Sequence, residues 1–145
     1  MTGISSVLVV DASVILKFAF RSAPGEHDTV KAEALLKGWL KGDYEIILPK
    51  LWSFEVGNVL GMKNPRLASE IMELLLEYRF SEVEMSPEIC SRTFDIMEKF
   101  KTTFYDSVYH AISILNAAIF VTADSEYFKK VHRIGKIMLL KDFPL

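Results

Sequence analysis

Four acidic residues occupy positions where an acid has either a local structural duty or a chemical one. Asp11 closes the apolar run Val7-Leu8-Val9-Val10, and Asp124 comes just after Ala118-Ile119-Phe120-Val121-Thr122. Either one has an ordinary reading as a helix N-cap, for which Asp is favoured. Asp106, in Thr103-Phe104-Tyr105-Asp106, fits a capping box with Asp in place of the usual Glu, and a first-turn acid suits the helix dipole. Glu55 is harder to assign to a local role. It sits within Leu51-Trp52-Ser53-Phe54-Glu55-Val56-Gly57-Asn58-Val59-Leu60, among residues expected to be largely buried. An ionised carboxylate there costs several kcal/mol unless something compensates it. Asn58 lies one turn on and shares its face, while Ser53 and Gly57 leave open that this face is simply wet.

The combination says more than any member. Acids at two strand ends, with two more on helices able to flank those ends, make a carboxylate cluster with no obvious counter-cation. Mutual repulsion raises the pKa values of such a cluster, and a hard divalent ion relieves it. All-oxygen donors favour Mg²⁺, Mn²⁺ or Ca²⁺ over zinc. An ion held there can activate water and neutralise charge developing on a phosphoryl group.

The elements that must position these acids alternate along the chain. Ser6–Ala12 reads as a strand buried on both faces, followed by a short helix over Ser13–Phe20 and a loop at Ser22–Gly25. His27–Lys41 has helical spacing through Val30, Ala34, Leu35, Trp39 and Leu40, with Gly42 as its stop. Glu45–Leu48 is a second strand, Leu51–Met62 a helix with the stripe Trp52, Val56, Val59, Leu60, and Pro65 opens a helix running to about Arg79 through Leu67, Ile71, Leu74 and Leu75. A brief strand at Glu82–Met85 precedes a helix from Pro87 to about Phe100 and another capped by Thr103 that ends near Asn116. Ala118–Thr122, Ser125–Val131 and Lys136–Leu140 complete the pattern as strand, helix and strand. Strands separated by helices need crossover connections, so the fold class is α/β: a mainly parallel sheet with helices on both faces. In such sheets ligands lie outside the carboxyl ends of the strands, where Asp11 and Asp124 fall.

Bulk properties narrow the options. At 145 residues, half of them apolar, the chain supports one domain with a sizeable core. No repeat or linker divides it. A net charge of −2 weakens any reading as a general nucleic-acid coat but not one as an enzyme that touches a few phosphates. The lone Cys90 cannot form an internal disulfide, which points to a reducing, cytoplasmic setting. The apolar N-terminus lacks a basic start and is interrupted by Asp11 and Lys17, so neither a signal peptide nor a membrane span is expected.

Four segments carry a resemblance to a known family. They are Val9-Val10-Asp11-Ala12-Ser13; Pro49 through Glu55 and on to Asn58-Val59-Leu60; Thr103-Phe104-Tyr105-Asp106-Ser107-Val108-Tyr109-His110-Ala111; and Phe120-Val121-Thr122-Ala123-Asp124. Their order and spacing resemble the PIN-domain nucleases, most closely the VapC-type toxins of toxin–antitoxin pairs, over nearly the whole chain. The resemblance implies a three-layer fold around a parallel sheet, a single nuclease domain over residues 1–145, and RNA cleavage dependent on Mg²⁺ or Mn²⁺. It implies Asp11, Glu55, Asp106 and Asp124 as catalytic metal ligands. Ser13 and Thr122 match small hydroxylic positions beside the acids, with Asn58 a further supporting residue. An RNA substrate, a protein antitoxin and a homodimer are the implied partners. One departure stands out. Where some members carry a further acid soon after the last Asp, this chain has Tyr127 and Phe128, which puts a second metal in question.

The remaining charged residues have ordinary readings. His110 is expected to pack within its helix, and His27 and His132 to lie at the surface. Lys63 and Arg66, like Lys129, Lys130 and Arg133, read first as solvated groups; the resemblance also implies dimer or antitoxin contacts around Lys63 and Arg66, which equally suit phosphate contacts. Two other functions compete. A housekeeping RNA-processing nuclease would use the same four acids, and a neighbouring antitoxin gene would separate it from a toxin. A Mg²⁺-binding regulatory α/β module would want paired N-terminal acids and a late strand-end Lys, yet Asp11 has no acidic neighbour and no Gly-rich phosphate loop is present.

Overall fold

In the computed structural model, which describes residues 6–19 and 28–144, five strands form one all-parallel sheet. They are β1 (Val7–Val10), β2 (Glu45–Pro49), β3 (Ser81–Val83), β4 (Ile119–Thr122) and β5 (Ile137–Leu139), in the order β3-β2-β1-β4-β5. The β-branched run of β1 takes the centre, with Leu8 opposite Ile46 of β2 and Val9 opposite Phe120 of β4. Among the described residues, seven α-helices connect the strands: α1 (Ala12–Ala19), α2 (Thr29–Leu40), α3 (Trp52–Lys63), α4 (Ala68–Glu77), α5 (Pro87–Phe100), α6 (Phe104–Leu115) and α7 (Ser125–Val131).

The chain winds from β1 out to β3 on one side, then returns to β4 and β5 on the other. Because parallel crossovers are right-handed, this reversal puts the first four helices on one face and the last three on the opposite face. The pleat of β1 shows the two layers. Leu8 and Val10 point into a core with Val14, Ile15, Leu35, Trp52, Val56 and Leu60, while Val9 points into a second core with Val108, Ile112, Phe120, Tyr127 and Val131. The reversal also creates a switch point between β1 and β4, a crevice at the carboxyl ends of the two strands.

Several expectations shift in detail. The helix expected at His27–Lys41 runs from Thr29 to Leu40 and faces the sheet with Ala32, Leu35 and Leu36, leaving Val30 and Leu40 exposed. The ring of Tyr44, which donates to the Leu35 carbonyl, lies against Gly38 where a side chain would not fit, and this contact sets the buried face. The helix expected from Pro65 begins at Ala68, after a turn closed by Leu67 N–H on the Asn64 carbonyl. Of its expected stripe only Leu75 is fully buried; Leu67 and Leu74 stay about half exposed. The third strand is Ser81–Val83 in place of Glu82–Met85, and the last is Ile137–Leu139. The expected loop at Ser22–Gly25, Phe20 and His27 lie outside the described residues. Among those residues no helix is long and apolar enough to cross a membrane.

Candidate active site

Asp11 and Asp124 leave the two strands that border the switch point. The Asp11 backbone N–H still pairs with the Val121 carbonyl, and its side chain caps α1 by accepting from Val14 N–H at 3.3 Å. Asp124 caps α7, accepting from Tyr127 N–H at 3.0 Å. The capping reading of these two acids holds, and the cap fixes each carboxylate at the crevice.

Two hydroxyls orient Asp11. Ser13 Oγ donates to its Oδ1 at 2.5 Å while accepting from Ala123 N–H, and Thr122 Oγ1 donates to its Oδ2 while accepting from Asp124 N–H at 3.0 Å. Each hydroxyl receives a backbone N–H, so its own hydrogen is directed at the carboxylate. Ser13 and Thr122 thus join the ends of β1 and β4 around one acid.

Glu55 and Asp106 approach from opposite layers. Helix α3 is anchored at its first residue, because Trp52 is fully buried, meets Phe80 edge-on at 5.5 Å and donates Nε1–H to Glu82 Oε2 at 2.8 Å. One turn later Glu55 accepts from the Tyr109 hydroxyl of α6 at 2.6 Å. Asp106 is in the first turn of α6, whose cap is Thr103 accepting from Asp106 N–H at 3.2 Å. The helix around Glu55 is less buried than its sequence suggests, since Phe54 and Asn58 are exposed. Ala12, Phe54, Glu55, Asn58, Val59 and Tyr105 line an open cleft of about 450 Å³.

The acids interact electrically. Burial, added to the nearby Asp106 charge, pushes Asp11 up to about 6 despite its hydroxyl donors. Burial again, with repulsion from Asp11 and Asp106, pushes Glu55 up to about 7 against the Tyr109 hydrogen bond. Asp106 is raised by burial and by Asp124, with Lys130 opposing. Among the described residues none of the four is ion-paired. Nor do any three acidic, His or Cys side chains among them already form a cage ready for an ion. The donor set nevertheless suits a hard divalent ion. It is all oxygen, and it carries repulsion that a cation removes.

Lys130, read from sequence as a solvated group, is exposed and also acts electrostatically on Asp106, while sequence reasoning gave Tyr109 no role of its own. Tyr109 lies in the same segment as Asp106, but only the packing of α6 against α3 reveals its bond to Glu55. His110 behaves as a packing residue: it is fully buried between the Tyr127 hydroxyl, 3.0 Å from Nδ1, and the Gly135 carbonyl, 2.8 Å from Nε2. His132 is exposed.

The PIN domain family model matches residues 8–134, which include all four acids, β1 from Leu8 onward and β2, β3 and β4. The chain belongs to the PIN-domain family. Solved structures share this PIN fold at low identity. The toxin–antitoxin complex from Klebsiella pneumoniae is 16% identical with a TM-score of 0.66, covering 92% of this chain and 97% of that one. VapBC2 from Rickettsia felis, bound to a DNA fragment of its promoter, is 14% identical with a TM-score of 0.66, covering 92% and 96%. Mycobacterium tuberculosis VapC20, a toxin that cleaves the sarcin–ricin loop, is 11% identical with a TM-score of 0.63, covering 84% and 93%. No curated protein matches the sequence significantly.

Proposed function

We propose that this PIN domain is a divalent-metal-dependent endoribonuclease, acting as one nuclease domain and as the toxin of a toxin–antitoxin pair. The observation that carries the reading is the group of mutually repelling, unpaired carboxylates at the switch point. Asp11 and Glu55 are pushed up to about 6 and about 7, a state that bound positive charge would relieve. The likeness to toxins of known assemblies, one of them a sarcin–ricin loop cleaving toxin, supports the RNA substrate and the antitoxin partner, and a homodimer in the cytoplasm completes the proposal.

In this reading Asp11, Glu55, Asp106 and Asp124 hold Mg²⁺ or Mn²⁺. When bound, the ion neutralises charge on the scissile phosphate and lowers the pKa of an attacking water. The chain's own residues prepare the site. Ser13 and Thr122 fix Asp11 as an acceptor, Tyr109 aims Glu55, and the Tyr127 amide pins one oxygen of Asp124. Asn58, exposed on the turn after Glu55, faces the same cleft and suits a contact with substrate.

The test is cleavage of a labelled single-stranded RNA with Mn²⁺ present. Cleavage is expected with the intact chain, to be abolished by excess EDTA and by Asp11→Asn, and restored to the intact chain by added Mn²⁺. Expression in a bacterial host is expected to arrest growth, and Asp11→Asn to relieve the arrest. Cleavage that survives EDTA removes the metal from the reading, and growth unaffected by well-expressed, intact protein removes the toxin role.

A further inference from the structure

The cleft beside Glu55 has two rings at its rim. Phe54 immediately precedes Glu55 on α3, and Tyr105 immediately precedes Asp106 on α6. The two helices belong to opposite layers, so each layer delivers one acid to the switch point and one aromatic ring to the neighbouring cleft. Phe54 is 79% exposed and Tyr105 60% exposed, and both line the same opening with Asn58, Val59 and Ala12. Neither ring has an aromatic neighbour among the described residues. Phe94 offers a contrast: at 55% exposure its ring still leans on Phe104 at 5.6 Å.

Resting on the ribonuclease reading, we propose that Phe54 and Tyr105 hold one unpaired nucleobase beside the scissile phosphate, with Asn58 reading its edge. The chemistry of the cleft selects this occupant. Its walls are apolar and aromatic, which suits the π-face of any base, and base–aromatic stacking is sequence-tolerant. Besides the Tyr105 hydroxyl, its polar side chains are a carboxylate and a primary amide, and the amide has both a donor and an acceptor to offer a base edge. Ala12, which also lines it, adjoins Asp11 in the chain, so a base seated there leaves its own phosphate near the acids. A base stacked and paired within a duplex is not free to stack on these rings. The substrate is therefore RNA whose nucleotide at the cleaved bond is single-stranded or extruded.

Steady-state cleavage with Mn²⁺ tests the clamp on a single-stranded oligonucleotide and on a series carrying one abasic residue within two positions of the cleaved bond. Phe54→Ala and Tyr105→Ala are each expected to lower kcat/KM about 5- to 100-fold, mostly through KM. Tyr105→Phe and Phe54→Trp, which keep the stacking face, are expected to stay within a few-fold of the intact chain. One abasic position should lower cleavage by the intact chain to a similar degree, and on that substrate the alanine variants should lose little more. Annealing the complementary strand should suppress cleavage. Full retention of kcat/KM by both alanine variants overturns the clamp while leaving the nuclease reading intact. So do losses of undiminished size on every abasic substrate, and the latter together with altered oligomeric state would assign the rings to a contact between copies of the chain. An intact, folded chain that cleaves no RNA overturns both proposals.

Discussion

Helix α6 carries two polar sites four residues apart, and they are built on opposite principles. At His110 the buried groups are matched. The ring nitrogens meet the Tyr127 hydroxyl and the Gly135 carbonyl, and because that carbonyl can only accept, Nε2 carries the hydrogen and Nδ1 accepts from Tyr127. Burial lowers the His110 pKa, so the ring stays neutral and the site is finished as it stands. At Asp106 the neighbours are other acids, and burial and repulsion raise its pKa without a paired cation among the described residues. Buried polarity does not by itself mark a functional site. Charge that the fold leaves unbalanced costs stability to maintain, which is why the acid site and not His110 carries the proposed function.

The sharpest way to break this comparison is to disable both sites and read stability and cleavage together. Asp106→Asn is expected to reduce RNA cleavage at least about 100-fold, while the melting temperature in EDTA stays level or rises. His110→Ala should do the reverse. It leaves the Tyr127 hydroxyl and the Gly135 carbonyl without their mate and opens a cavity, costing about 2–5 kcal/mol in denaturant titration. Its folded fraction should cleave within a few-fold of the intact chain. Loss of cleavage by folded His110→Ala would erase the distinction.

A second, smaller effect is a pH dependence of the ion-free fold. In the unfolded chain Asp11 and Glu55 release protons near 3.8 and 4.5, whereas in the folded chain they hold them up to about 6 and about 7. The folded state binds more protons across that window, so stability in EDTA should fall as pH rises from about 4 to about 7 and then level off. Fully buried Asp11 alone contributes about 3 kcal/mol to this slope. Thermal melts at pH 4.5, 6 and 7.5 will show it, and Mn²⁺ should recover stability most at the highest pH. A melting temperature that rises over this range in EDTA would mean that the carboxylates are compensated some other way.

The smallest expected change refines the acid site itself. Thr122→Val keeps the shape of β4 but removes the hydroxyl that donates to Asp11 and accepts from Asp124 N–H. Cleavage should fall about tenfold, with Ser13 still holding the other Asp11 oxygen, and the dependence on Mn²⁺ concentration should shift to higher values. Unchanged cleavage would reduce Thr122 to a packing residue.

Much of this architecture was legible from residue types. The apolar β-branched run of β1, the caps Thr103 and Asp124 and the start of α5 at Pro87 are local signals, and local signals survive without tertiary context. Asp11 and Asp124 could be placed at one sheet edge because parallel strands must all end on the same side. The inward face of α2 was misread. Its Val30 and Leu40 look like core residues by spacing, but the Tyr44 ring and the sheet select Ala32, Leu35 and Leu36 instead. Helical periodicity defines a stripe only to within the rotation that packing chooses.

The sequence alone determined which elements form, in what order, and that two acids follow strands ending at the same edge of the sheet; that those strands are neighbours came from the structure. Tertiary structure decided that Glu55 and Asp106, carried on opposite layers, reach that edge as well, that Tyr109 crosses between layers to hold Glu55, and that Phe54 and Tyr105 face one cleft. The reason is physical. Capping, turns and strand burial depend on neighbours along the chain, whereas the meeting of side chains from two layers depends on how each helix is rotated and seated against the sheet.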